Sequence, residues 1–234
     1  LFSFIPSILE AYNTAILNIK ACIFDFDGVI ADTCHFHFQA WKHVAQQLDF
    51  KITTEQNELL KGRSRSDAMD QILRWHDLDM TTEDRAYWME RKNERYLALT
   101  EFIGPNAILP GLEELLVLLR DIGVILLVGS ASRNARTVLE KLKLDHYFQG
   151  IFDGNSVKKG KPAPDLFRLA ASSCGVNPGN TIVFEDSKAG IEAALKGGFW
   201  TIGVGDHTKL AAAHVVIPGF DKLDFHELLL DLSG

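Results

Sequence analysis

The chain has 234 residues, 47% of them hydrophobic and 24% charged, with a net charge of −7 at pH 7. That balance is ordinary for a globular protein of one large domain, or of a large domain and a small one. It argues against a nucleic-acid surface, which needs basic patches, but leaves room for a small anionic substrate, which needs only local positive charge.

No apolar run approaches the roughly 20 residues of a membrane span. The cysteines Cys22, Cys34 and Cys174 lack metal-ligand spacing and read as reduced core thiols of a cytoplasmic protein. Residues Leu1–Asn18 are apolar, carry Glu10 and no Lys or Arg, and do not read as a signal peptide. Within them Ser7-Ile8-Leu9-Glu10 is a capping box, which predicts a short helix from about Ile8 to Ile16. Whether that helix packs on the domain edge or stays disordered is open.

Ala21-Cys22-Ile23-Phe24 follows, a short apolar run that reads as a buried strand of a parallel sheet. It leads into Asp25-Phe26-Asp27-Gly28-Val29-Ile30-Ala31-Asp32-Thr33. Side chains alternate along a strand, so Asp25 and Asp27 point the same way. Gly28 then lets the chain turn. Two carboxylates thus stand at the carboxyl end of a buried strand, where open α/β sheets bind ligands. Each raises the other's proton affinity, and a hard cation relieves the repulsion. One can then act as nucleophile and the other in proton transfer. The plainer reading is one helix-capping Asp and one solvated Asp. A calcium EF-hand fits poorly, because Ile30 and Phe36 stand where its Gly and Glu belong.

Four helices are expected next. Cys34–Asp49 carries Phe38, Trp41, Ala45 and Leu48 at helical spacing. Thr53-Thr54-Glu55-Gln56 is a capping box for a helix ending near Leu60, where Gly62 breaks it. Ser64-Arg65-Ser66-Asp67 opens a third helix, and Thr81-Thr82-Glu83-Asp84 a fourth that runs to about Thr100. No strand signal interrupts them. Residues 34–100 therefore read as a helical cap domain, inserted where it covers the end of the first strand. Residues 1–33, with the extension 1–18, and residues 101–234 are the two parts of a core domain.

From Pro110 helix and strand alternate. Helices are expected at Leu112–Arg120, Ala135–Leu142, Asp165–Cys174 and Ala189–Lys196. Strands are expected at Val124–Val128, around Ile151-Phe152, and at Thr181–Phe184, Thr201–Val204 and Val215–Ile217. The fold class is α/β: a parallel-sheet, Rossmann-like core with an inserted helical cap.

Each main strand ends in something reactive. Ser130-Ala131-Ser132 precedes a helix, where backbone N–H groups and hydroxyls can approach an anion; Ser132 as a simple N-cap is the plainer reading. Lys161 is stiffened by Pro162 and Pro164, although a lone lysine is more often solvated, as Lys158 and Lys159 should be. Glu185 and Asp186 follow a buried strand, and Asp186 could complete a cation site with Asp25 and the backbone carbonyl of Asp27. Their plainer reading is acids at a helix N-terminus. His37 reads as structural and Trp41 as core. Lys61-Gly62-Arg63-Ser64-Arg65 is a basic loop at a helix start, a solvated loop in its plainer reading, and Arg91-Lys92 is ordinary surface charge unless it faces the core domain.

Asp25-x-Asp27-Gly28, Ser130, Lys161 and Glu185-Asp186, in this order on these strand ends, resemble the four motifs of the haloacid dehalogenase superfamily. The match spans about Ile19 to Val204. Within it the chain is similar to the β-phosphoglucomutase family. That likeness rests on His37-Phe38 and Trp41, Leu60-Lys61-Gly62-x-Ser64-Arg65, Arg91-Lys92-Asn93, Ser130-Ala131-Ser132-Arg133-Asn134, Lys161-Pro162-Ala163-Pro164-Asp165 and Glu185-Asp186-Ser187-x-Ala189-Gly190-Ile191.

The resemblance implies an isomerase that interconverts β-glucose 1-phosphate and glucose 6-phosphate. The route would be an aspartyl phosphate and a 1,6-bisphosphate; the alternative is a sugar-phosphate phosphatase. Asp25 would be the nucleophile and Asp27 the acid/base. Ser130 and Lys161 would hold the transferring phosphoryl group. Mg²⁺ would sit on Asp25, Asp27 and Asp186, with Glu185 close by. Arg65, Ser132, Arg133 and Asn134 would hold the distal phosphate, with Ala131 between them. Gly62, Arg63 and Trp41 would line the cap side, and His37 and Lys92 would position Asp27 or orient the cap. The expected partner is a small sugar phosphate, acted on by a monomer without nucleic-acid or membrane partners. The extension before Ile19 has no counterpart in the pattern.

Overall fold

The computed structural model of the protein describes residues 19–233. The capping box at Ser7–Glu10 and its helix lie outside the described residues. Six parallel strands form the sheet: β1 (Ala21–Phe24), β2 (Ile125–Gly129), β3 (Gly150–Phe152), β4 (Thr181–Glu185), β5 (Trp200–Val204) and β6 (Val215–Ile217). Their order is β3-β2-β1-β4-β5-β6. The direction of winding reverses at β1, whose neighbours are β2 and β4. A crevice opens at the carboxyl ends of strands at such a switch point.

Four helices of an insertion follow β1: α1 (Cys34–Gln47), α2 (Thr54–Leu60), α3 (Arg65–Trp75) and α4 (Thr82–Leu99). Then come α5 (Leu112–Asp121), α6 (Ala135–Lys141), α7 (Asp165–Ser173), α8 (Lys188–Gly197), the short α9 (His207–Leu210) and α10 (Phe225–Ser233). Among the described residues every expected strand and helix is present, with ends displaced by at most two residues. Two helices near the C-terminus were not expected. The four-residue α9 is too short to show a period. In α10, Phe225, Leu228, Leu229 and Leu232 carry a clear helical stripe.

The sheet is covered on both faces because its central strands carry apolar side chains on both. Cys22, Phe24, Leu126, Val128, Ile182 and Phe184 face the larger cluster, with Leu116 of α5 and Val138 of α6. Ile23, Leu127 and Val183 face the other, against Phe167 of α7 and Ala193 of α8. The inserted helices have an apolar cluster of their own around Trp41, Met69 and Ile72. The cysteine expectation needs correction. Cys22 is buried, but Cys34 and Cys174 are half-buried, because each sits at an end of its helix.

Local sequence sets where the inserted helices begin. The hydroxyls of Thr53, Ser64 and Thr81 accept from the backbone N–H of Gln56, Asp67 and Asp84. Thr33 precedes α1 but makes no such bond. Its hydroxyl is used elsewhere.

Candidate active site

The register places Phe24 beside Phe184 and Val128. The residues that follow these three strands therefore meet at one edge. Asp25 is nearly buried, and its N–H donates to the Phe184 carbonyl at 2.9 Å. Lys161, completely enclosed, donates to Asp25 Oδ1 at 2.5 Å and to Glu185 Oε1 at 2.7 Å. The other Glu185 oxygen accepts from the N–H and the hydroxyl of Ser187, at 2.7 and 2.9 Å. That hydroxyl in turn accepts from Gly190 N–H and caps α8.

Consecutive residues diverge at the end of β4. Glu185 turns inward to the lysine, and Asp186 turns to the cleft. Oxygens of Asp25, Glu185 and Asp186 lie within 4.8 Å of one another. One lysine does not balance three carboxylates. Burial and the neighbouring Glu185 push Asp186 up to about 7. Asp25 is also raised, first by burial and then by Glu185, Asp27 and Asp186, against the opposing pull of Lys161. For Lys161, burial works against the charge, but Asp25 and Glu185 outweigh it and hold the ammonium form. Lys161 pairs with Asp25 and Glu185, and the raised Asp25 and Asp186 mark carboxylates that this one cation does not balance. An oxygen-only donor set with unbalanced charge suits a hard cation such as Mg²⁺.

Asp27 is engaged differently. Its Oδ1 accepts from the Thr33 hydroxyl at 2.6 Å, and His37 Nε2 lies 3.0 Å away. Lys92 Nζ lies 2.6 Å from His37 Nδ1. If Lys92 donates to Nδ1, the Nε2 proton points at Asp27, which makes a chain from Lys92 through His37 to the carboxylate. Burial opposes ionisation of Asp27, but His37, Thr33 and Lys92 prevail and hold it below the usual carboxylate range. Lys92, buried and facing Arg65, falls to about 7. Thr33 thus gives up helix capping to hold Asp27. The Asp27 side chain is not part of the converging acid cluster, so its share in a cation site would fall to its backbone carbonyl.

Two glycines allow this proximity. Gly28 has φ +88°, and a Cβ there would stand 2.4 Å from Asp186 Oδ2. Gly62, φ +70°, brings the loop after α2 onto α8, where a Cβ would meet Ser187 Oγ at 2.1 Å.

A solvent-open cleft runs between the inserted helices and the sheet edge. Asp25, Asp27 and Asp186 line it from below, and His37, Trp41, Gly62, Arg63, Arg65 and Lys92 from the insertion. Ala131, Ser132, Arg133 and Asn134 close one side. Ser130 and Lys161 are buried and stand behind the lining. Ser130 Oγ accepts from Ser132 N–H at 3.0 Å, and Ser132 Oγ from Asn134 N–H at 3.3 Å. Ser132 is therefore not the N-cap of α6; Asn134 occupies that position. Trp41 remains mostly core, with Lys92 5.5 Å above its ring.

Sequence reasoning missed two neighbours of Asp186. Cys34 Sγ is 3.5 Å from its Oδ2, and Lys61 Nζ 3.7 Å. Lys61 is steadied by Glu58, which also bonds Lys209 of α9 at 2.9 Å.

A family model described as haloacid dehalogenase-like hydrolase matches residues 19–198. The chain is 38% identical to the β-phosphoglucomutase of Bacillus subtilis (strain 168), covering 85% of this chain and 89% of that one. It is 29% identical to a phosphorylated carbohydrates phosphatase of Thermotoga maritima, covering 77% and 82%. It also resembles the crystal structure of β-phosphoglucomutase from Clostridium difficile, with a TM-score of 0.88, 36% identity and coverage of 92% and 97%.

Proposed function

The chain belongs to the haloacid dehalogenase-like hydrolase family, and from that premise we propose that it is a Mg²⁺-dependent phosphomutase converting β-glucose 1-phosphate to glucose 6-phosphate. The observation that carries this reading is a second group of cationic and polar side chains, able to hold an anion, in the same cleft as the acid cluster. Arg65, Ser132, Arg133 and Asn134 line one part of it, Asp25 and Asp186 another. A mutase must hold one phosphate while the other reacts; a phosphatase has no such need. The likeness to β-phosphoglucomutases supports the reading, and the phosphatase among the relatives keeps hydrolysis as the alternative.

In this mechanism Asp25 starts as the aspartyl phosphate. The C6 hydroxyl of β-glucose 1-phosphate attacks the phosphorus, the bond to Asp25 breaks, and Asp27 takes the hydroxyl proton. The bisphosphate turns over in the cleft. Asp25 then attacks the C1 phosphate, and Asp27 returns its proton to the departing C1 oxygen. Glucose 6-phosphate leaves and the aspartyl phosphate is restored. Thr33 and His37 hold Asp27 ionised and aimed. Lys161 and Ser130 stabilise the transferring group, the electrostatic role that dominates phosphoryl transfer. The inserted helices act as a cap that excludes water from the aspartyl phosphate. Asp25 and Asp186 would hold Mg²⁺, which supplies charge neutralisation.

Two expectations test this reading. Arg65→Ala removes a charged hydrogen-bond donor to the distal phosphate, a contact worth about 1.5–3 kcal/mol. Mutase kcat/KM should fall at least ~10-fold. Phosphorylation of Asp25 by acetyl phosphate, which has no distal phosphate, should change far less. Equal losses would mean that Arg65 serves the core site or the fold, and no loss in either would favour the phosphatase.

The second expectation concerns pH. Asp186 is raised to about 7, so below that value it carries a proton which a cation must displace. Apparent Mg²⁺ affinity should therefore weaken as pH falls below 7, by up to ~10-fold per unit. Titrations of Mg²⁺ at pH 6 and pH 8 check this, and equal affinities would remove Asp186 from the ligand set.

A further inference from the structure

Asn93, in the middle of α4, joins both sides of the cleft through one atom. Its Oδ1 accepts from Arg65 Nη2 at 2.7 Å, and Arg65 is the first residue of α3 in the insertion. The same oxygen accepts from Asn134 Nδ2 at 2.9 Å, and Asn134 precedes α6 in the core. Two donors on one oxygen fix the orientation of the amide. Its Nδ2 donates to Glu90 Oε1 at 3.3 Å, while Glu90 Oε2 is 4.0 Å from Arg65 Nη1. Asn134 makes no side-chain cap bond to α6, so its side chain is committed to Asn93 instead.

Arg65 is only 16% exposed and has no bidentate carboxylate partner among the described residues. Burial and then the charge of Arg133 weigh against its own charge. Three guanidinium groups, those of Arg63, Arg65 and Arg133, line one cleft, and with a neutral amide between donors from opposite walls they call for an anion.

We propose that Asn93 is a positioning residue of the distal phosphate site: its amide oxygen ties Arg65 of the insertion to Asn134 of the core, so that a sugar phosphate's second phosphate meets donors from both walls at once. Asn93 acts through these two residues. Anion binding and approach of the insertion to the core become one event. The inference rests on the phosphomutase reading for the identity of the ligand.

The test is calorimetric titration of glucose 1,6-bisphosphate, with Mg²⁺, into Asp25→Asn protein, which binds without turning over. Adding Asn93→Leu should weaken binding about 10-fold, the size expected for loss of a charged hydrogen bond. In an Arg65→Ala background the same change should add little, because residues acting through one another do not add. Asn93→Asp keeps the oxygen that accepts from Arg65 and Asn134 and loses only the exposed 3.3 Å bond to Glu90, so its melting temperature should change little. Its charge competes with the phosphate for Arg65, so binding should still weaken; a purely structural role would leave binding by Asn93→Asp intact.

Unchanged binding in Asn93→Leu and Asn93→Asp, or additive losses with Arg65→Ala, would overturn the proposal. The parent chain, assayed for glucose 6-phosphate formation, separates this from the function. No product, with binding still dependent on Asn93, retires the mutase and keeps the positioning role. Product formed, with binding independent of Asn93, does the reverse. No binding of the bisphosphate by the Asp25→Asn protein would sink both.

Discussion

Asp25→Asn should abolish turnover, by at least ~10⁴-fold, and leave the fold standing. The amide has the shape of the carboxylate but cannot form the aspartyl phosphate, and loss of a nucleophile removes a step that no neighbour replaces. Stability should change little. The Asn oxygen can still accept from Lys161, and Lys161 keeps Glu185 at 2.7 Å. Burial, and then the neighbouring carboxylates, already disfavour the charge of Asp25. The measurements are turnover, labelling of the protein by acetyl phosphate, and thermal unfolding. Activity within tenfold of the parent would end the covalent mechanism.

Lys161→Met should lose both activity and stability, and the contrast with Asp25→Asn is the point. Methionine fills a similar volume but leaves Asp25 and Glu185 enclosed without their cation. Removing one partner from a buried ion pair costs about 3–5 kcal/mol. At roughly 2–4 °C per kcal/mol for a chain of this size, the melting temperature should fall by about 10 °C. The penalty has a sign in pH. It comes from charged carboxylates, so it should shrink as acid protonates them and grow as pH rises. A variant as stable as the parent at neutral pH would mean that the Lys161 pair contributes nothing net to the fold.

Much of this arrangement is legible in the chain because it is local. Asp25-x-Asp27-Gly28 needs only the alternation of a strand and one turn. The helix starts at Thr53, Ser64 and Thr81 are legible because a cap and its N–H lie three residues apart. The convergence of Asp25 and Glu185 is legible as neighbouring strand ends at one sheet edge, whereas Lys161, in the loop between β3 and α7, is legible only through the family pattern.

What stayed hidden depends on how the insertion rests on the core. Lys61 reaches Asp186 across 125 positions of sequence, and nothing near either residue announces it. Cys34 looked like a core thiol because cysteines usually are buried, yet the turn at Gly28 puts it beside Asp186. Asn93 sits on a polar helix face that reads as solvated, and only the fold brings Asn134 to it. Thr33 directly precedes α1, but its hydroxyl has the stronger partner in the half-buried Asp27 carboxylate. Gly190 has a reason that only the structure supplies: a Cβ there would stand 1.8 Å from Glu185 Oε1, so the helix can start over the glutamate only if this residue is bare.

The phosphomutase account is tested most directly by its products. The protein should be incubated with β-glucose 1-phosphate, Mg²⁺ and a trace of glucose 1,6-bisphosphate, and glucose 6-phosphate and free phosphate should be measured together. Glucose 6-phosphate accumulating with little free phosphate is the predicted result. Phosphate released in step with substrate loss, without glucose 6-phosphate, would contradict it and identify a sugar-phosphate phosphatase.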